Sequence, residues 1–163
     1  MKELIIACGL DGAIGKDNEL LWNLKDDMKH FVNVTKGKNV VMGRKTFESL
    51  PHGPLKGRKN YVLSNTHKMS YYDNGTYVEF LTYDKFMKKD MADYVVIGGS
   101  QVYELLVANV DKMYMTLVFD VCIEADSFIP MIDFSQWQTT NTEFYPANER
   151  NENSFHIIEM IKR

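Results

Sequence analysis

The apolar positions of this chain fall into short blocks separated by glycine-rich and polar turns. Glu3 to Cys8 (ELIIAC) is a continuous apolar run, the pattern of a strand buried on both faces. A loop rich in Gly, Asp and Asn follows (GLDGAIGKDNE), and then the period changes. From Leu24, the residues Leu24, Met28, Phe31 and Val32 recur at i, i+4, i+7 and i+8, one stripe of a helix. Asn23 is placed to cap that helix and Lys36-Gly37 to end it.

The same alternation continues downstream. Asn39 to Met42 reads as a buried strand, Gly43 breaks it, and RKTFESL forms a short helix that stops at Pro51. A turn-rich loop (PHGPLKGRK) leads to a strand from Lys59 to Ser64. Asn65 to Gly75 reads as a polar loop, Tyr77 to Leu81 as a strand and Asp84 to Lys89 as a helix. Asp93 to Ile97 is strongly apolar; Gly98-Gly99 follows, with Ser100 as cap of a helix from Gln101 to Val107. Lys112 to Val118 is a further strand, and Glu124 to Asp133 a loop. Trp137 to Tyr145 and Ser154 to Ile161 are two long strands joined by PANERNEN, hence an antiparallel hairpin.

Strands alternating with helices imply a parallel sheet with right-handed crossovers. The expected fold is α/β: one domain over residues 1–163, a central, mostly parallel twisted sheet with flanking helices, and an antiparallel C-terminal hairpin. In such sheets ligands sit at the carboxyl ends of the strands. The Gly12–Asn18 loop, the Gly43 corner and the Gly98-Gly99 corner all fall there.

Composition narrows the function by exclusion. The formal net charge of −3 argues against a general nucleic-acid binder. No apolar run reaches membrane-spanning length and no signal-peptide pattern opens the chain, so a cytoplasmic location is expected. Cys8 and Cys122 sit in apolar runs without CxxC spacing and read as buried, reduced thiols. The four histidines form no ligand motif, so no metal is expected.

Spacing also picks out chemistry. At about 100° per residue, Asp26 points away from the apolar stripe and reads as a solvated acid. Asp27 lies at the stripe's edge beside Phe31, one turn after Trp22. Burial raises the proton affinity of such a carboxylate unless donors compensate, and a neutral acid in an apolar cleft can handle protons near neutral pH. Taken alone, Asp27 reads better as an acid favouring the positive start of a helix, and only the rest of the chain shifts that balance. The Gly43 corner, with Arg44, Lys45 and Thr46, suits an anion, as does the Gly98-Gly99 corner.

Several blocks carry a resemblance. Ala13-Ile14-Gly15, Trp22-Asn23-Leu24 with Asp27, Val41 to Ser49 (VMGRKTFES), Gly57-Arg58-Lys59-Asn60, Val96 to Gly99 with Tyr103, and Tyr114-Met115-Thr116 stand in the order and spacing of bacterial dihydrofolate reductase. The chain resembles that family from end to end. The resemblance implies hydride transfer from NADPH to dihydrofolate by a monomer. Asp27 would hold the pterin edge and promote protonation of its ring nitrogen. Thr116 would hydrogen-bond that carboxylate, and Trp22 would hold a water near it. Ile5, Ala7, Met28, Phe31, Leu50, Leu55 and Ile97 would line the substrate pocket, and Arg58 would pair with the substrate's α-carboxylate. On the cofactor side, Gly43 to Thr46 and Gly98, Gly99, Ser100, Gln101 and Val102 would meet the phosphates. Arg44, Ser64 and Asn65, beside Leu63, would meet the 2′-phosphate. Ala7, Ile14, Gly15, Ile97 and Tyr103 would surround the nicotinamide.

Two departures bear on the Gly12–Leu21 loop, expected to close over the ligands. Leu21 and Lys25 stand where the family commonly has proline, which frees the backbone there. Ser127 replaces a common threonine. Two other functions compete. A reductase of ribityl-pyrimidines on a related fold would lack the helix acid, and an idle NADPH- or folate-binding subunit would lack turnover.

Overall fold

The computed structural model describes residues 1–163. In chain order the elements are β1 (Lys2–Gly9), β2 (Ala13–Gly15), α1 (Lys25–Thr35), β3 (Asn39–Gly43), α2 (Arg44–Ser49), β4 (Lys59–Leu63), β5 (Met69–Asp73) and β6 (Thr76–Leu81). They continue with α3 (Tyr83–Lys88), β7 (Tyr94–Gly98), α4 (Ser100–Leu106), β8 (Lys112–Val118), β9 (Ser127–Phe128), β10 (Trp137–Tyr145) and β11 (Phe155–Lys162). Nine strands form one sheet in the order β10-β11-β8-β1-β7-β3-β4-β6-β5. The pairs from β8 through β6 are parallel, and both edges end in antiparallel pairs. No helix is long and apolar enough to cross a membrane.

Burial on both faces explains the unbroken apolar runs. Along β1, Leu4, Ile6 and Cys8 pack on one face with Phe86 of α3 and Val102, Tyr103 and Leu106 of α4. Ile5 points to the other face, against Phe31 and Val34 of α1. Helices α1 and α2 therefore share one side of the sheet, and α3 and α4 the other. The strand order turns at β1, which has β7 on one side and β8 on the other. That is where a crevice opens at the carboxyl ends of the strands.

Several expectations need correction. Asn23 does not cap α1. Leu24 holds the cap position with no side-chain bond. The free amides are taken up from across the molecule: Lys25 N donates to Arg150 O at 3.0 Å and Asp26 N to Asn151 Oδ1 at 3.2 Å. Leu24, Val34 and Thr35 are buried and Asp27 and Phe31 are half-buried, whereas Met28 and Val32 are 50% and 44% exposed. Asp27 therefore stands at the edge of the buried face, beside Phe31, where the spacing places it. Asp26 is not simply solvated, since Arg150 Nε donates to its Oδ1 at 2.9 Å and Asn151 Nδ2 to its Oδ2 at 2.8 Å.

Gly99, not Ser100, is the cap of α4. The supposed loop 65–75 contains β5, a polar edge strand whose exposed face carries no apolar alternation to read. The supposed loop 124–133 contains β9, two residues paired with β2. Cys8 is buried as expected, but Cys122 is half-exposed in a loop; both thiols are free.

Candidate active site

Two periods meet at Asp27. On α1, Asp27 and Phe31 recur at helical spacing on the buried face, while on β8 Tyr114 and Thr116 alternate at strand spacing toward the same helix. The register brings Thr116 opposite Ala7 of β1. Thr116 Oγ1 donates to Asp27 Oδ1 at 2.6 Å. Burial pushes the Asp27 carboxyl above the usual carboxylate range; the Thr116 bond, and to a lesser degree the nearby His30, pull against it. The result is an acid whose proton is easier to keep than in water.

Most of the predicted pocket residues fall into two apolar clusters on the α1 side of the sheet. Ile5, Phe31 and Ile97 pack together on the α1 face, and Leu50, Leu55 and Ile97 cluster with Phe47 beside α2. Met28 is an exposed apolar residue on the rim. Trp22 Nε1 donates to Asp120 Oδ2 at 3.0 Å and so holds the loop after β8. A Cβ on Gly9 would stand 3.1 Å from the Trp22 ring and 2.7 Å from Asp120 O, which explains why that position carries no side chain.

Arg58 is fixed at the far end of the same face. Nη1 donates to Thr35 Oγ1 at 2.9 Å and Nε to Lys56 O at 3.1 Å, with no carboxylate partner. Burial lowers its proton affinity, yet a guanidinium remains charged. A half-buried, oriented and unpaired cation is a receptor for an anion. The loop that carries it is tied by Asn60, a fully buried side chain that bonds Leu55 N, Leu55 O, Arg58 O and Tyr77 O.

The two glycine corners form one cradle. A Cβ on Gly43 would stand 3.2 Å from Val102 Cγ2 and 3.9 Å from Gly99 N. A Cβ on Gly99 would stand 3.3 Å from Thr46 Oγ1. Gly98, at φ +123°, and Gly99 are joined by a cis peptide bond. Tyr103 sits behind them, buried, its hydroxyl donating to Ile5 O at 2.8 Å. At the outer rim, Arg44 pairs with Glu48 at 2.8 Å, both exposed. Ser64 Oγ accepts from Thr66 N and His67 N and so shapes the turn after β4.

The Gly12–Leu21 segment lies over the cradle. Its tip is a two-residue hairpin turn, Asp17-Asn18, with both residues at positive φ (48° and 66°), a geometry Asp and Asn tolerate. Asn18 Nδ2 reaches Lys45 O at 3.3 Å. On the other side Asp17 N donates to Asp126 Oδ2 at 2.9 Å, Asp126 N to Gly15 O at 3.1 Å, and Lys16 pairs with Glu124 at 2.7 Å. Asp120 is the tying residue that the sequence reading does not single out; Asp126 and Asn60 stand among the residues that carry the resemblance, Asp126 reading alone as a turn residue, and their bonds to these loops become visible only in the structure. An acid in a polar loop has no pattern, although a lone Asn inside the apolar run KNYVL was a visible signal.

Asp27, Thr116, the apolar pocket and Arg58 share the α1 side of the sheet, with the cradle at the carboxyl ends of β3 and β7 and Arg58 at the opposite end, before β4. Known proteins share this sequence pattern and fold. Residues 1–162 match the family model described as dihydrofolate reductase. The dihydrofolate reductase of Haemophilus influenzae is 32% identical over 160 residues, covering 98% of each chain. That of Bacillus subtilis is 33% identical over 163 residues, covering 100% of this chain and 95% of its own. Among solved structures, the Enterococcus faecalis dihydrofolate reductase complexed with NADP(H) and RAB-propyl superposes with a TM-score of 0.87. It is 29% identical and covers 100% of this chain and 96% of that one.

Proposed function

The chain belongs to the dihydrofolate reductase family, and from that premise we propose that it reduces 7,8-dihydrofolate to 5,6,7,8-tetrahydrofolate with NADPH, as a cytoplasmic monomer, with Asp27 assisting protonation of the pterin ring nitrogen. The observation that carries this reading is the buried Asp27–Thr116 pair on the same crevice as the glycine cradle.

The cradle fits the proposed cofactor on its own terms. Cβ atoms at Gly43 or Gly99 would fill the gap between the corners, so the absence of side chains there leaves backbone amides open to close approach. Gly43 to Thr46 and Gly98 to Val102 would hold the phosphates, Arg44, Ser64 and Asn65 the 2′-phosphate, and Ala7, Ile14 and Tyr103 the nicotinamide end. NADPH, when bound, supplies the hydride.

The chain's own residues do the rest. The substrate's carbon–nitrogen double bond accepts a hydride poorly until its nitrogen is protonated. Asp27, with one oxygen held by Thr116, presents the other to the aminopyrimidine edge and favours the protonated ring electrostatically. Ile5, Phe31, Leu50 and Leu55 exclude water from the ring system. Arg58 takes the α-carboxylate at the far end, which sets the substrate's register along the pocket. The 12–21 segment covers the reacting groups.

The test is NADPH oxidation with dihydrofolate, in wild type and Asp27→Asn, across pH. The variant is expected to lose roughly 10²–10⁴-fold at pH 7. It should recover partly in acid, where the substrate brings its own proton. Equal activity of the two proteins at pH 7 would remove Asp27 from the mechanism.

A further inference from the structure

Beside Asp27, α1 carries a second titratable group that the proposed chemistry leaves unused. His30 lies one turn further along, and the opposite strand repeats the arrangement. Thr116 bonds Asp27, and Tyr114, two residues earlier on β8, meets His30. The His30 ring stands edge-on to Tyr114, with centroids 5.4 Å apart and planes at 67°. Its Nε2 is buried and bonds no protein group.

The other charged groups around His30 come from three strands: Lys112 on β8, Glu143 on β10 and Glu159 on β11. Lys112 and Glu159 pair with each other at 2.8 Å. Glu143 is exposed, where solvent screens it. The Tyr114 hydroxyl donates to Glu3 Oε1 at 3.1 Å, and the other Glu3 oxygen holds Lys38. Asp27 and His30 are left as the two half-buried titratable groups of the cluster with no counter-charge in contact, three residues and so about one turn apart on α1.

We propose that Asp27 and His30 compete for a single proton, with His30 the positioning residue whose charge decides how much of that proton Asp27 holds. The proposal rests on Asp27 being the acid of the reductase reading above. Burial disfavours both the imidazolium and the carboxylate. It therefore lowers the proton affinity of His30 and raises that of Asp27, while their mutual attraction opposes each change. The two affinities move toward one another, and groups so coupled titrate as a pair. A neutral His30 leaves Asp27 its proton, whereas a cationic His30 draws Asp27 toward the carboxylate.

The experiment is a ¹³C NMR titration of the Asp27 carboxyl in ligand-free wild type, His30→Gln and His30→Phe. Both variants should raise the Asp27 midpoint by roughly half a unit to one unit; either variant alone decides if the other fails to fold. Reciprocally, Asp27→Asn should lower the His30 imidazole midpoint. In single-turnover hydride transfer, the pH midpoint should rise in the His30 variants by the amount seen in the titration. A residue that only packs would lower the unfolding temperature and leave these midpoints in place. Midpoints unmoved in both variants overturn the proposal. Because the titration needs no turnover, an inactive wild type would sink the reductase reading alone, and unmoved midpoints in an active enzyme would sink this one alone.

Discussion

Two loops border the crevice, and they are fastened by opposite means. The loop from Leu55 to Arg58 is tied from inside by Asn60, whose buried amide makes four bonds to backbone groups. The segment from Gly12 to Leu21 is tied from outside, by Asp17 to Asp126, Lys16 to Glu124 and Asn18 to Lys45, all exposed. Similar numbers of polar contacts therefore carry different energies. Removing a buried partner leaves donors and acceptors stranded away from water, whereas an exposed contact exchanges with solvent at little cost. The first loop is built to keep Arg58 still. The second is built to let go.

The largest effect expected from this contrast is that of Asn60→Ala. It strands Leu55 N, Leu55 O and Arg58 O, and should cost about 2–4 kcal/mol in urea unfolding, with a raised KM for dihydrofolate. Asp27→Asn tests the buried side from the other direction. The folded-state proton affinity of Asp27 is raised by burial. Its contribution is thus fully present below the unfolded carboxyl value, about 3.9, and is lost as pH rises through the folded value. Asparagine does not titrate, so the variant should gain on wild type as pH rises above the unfolded carboxyl value and through the folded one, read from thermal unfolding. Asp126→Ala acts on the exposed side. Stability should change by less than about 0.5 kcal/mol, while amide exchange at Asp17 accelerates and that at Leu55 does not. The smallest effect belongs to Lys16→Ala, a few tenths of a kcal/mol at most, vanishing in high salt. Equal losses from Asn60→Ala and Asp126→Ala would erase the distinction between the two loops.

Legibility in the sequence followed the same division. Strands buried on both faces, such as β1, β3, β7 and β8, announced themselves as unbroken apolar runs, and the two glycine corners were visible where those runs break. Asp27 was visible because it interrupts an apolar helix face. Spacing counted Met28 and Val32 into the apolar stripe because both are apolar, yet both are exposed. The edge strand β5 and the short β9 were illegible, since a strand with an exposed face or two residues has no period to detect. The roles of Asp120 and Asp126 depend on loops meeting far apart in sequence, and ligand identity came from resemblance, not from periodicity.

The start of α1 has a consequence of its own. Its first amides, and the side chain of Asp26, are held by Arg150 and Asn151, residues from the turn before the final strand. A fragment of residues 1–146 should therefore carry every predicted ligand-binding residue and still turn over poorly. Adding a separate peptide of residues 147–163 should restore activity, and a fully active fragment alone would show that the turn is dispensable. Asp27 is encoded far upstream of Arg150 and Asn151, which hold the first turn of its helix, so that helix is fully seated only after both have emerged from the ribosome.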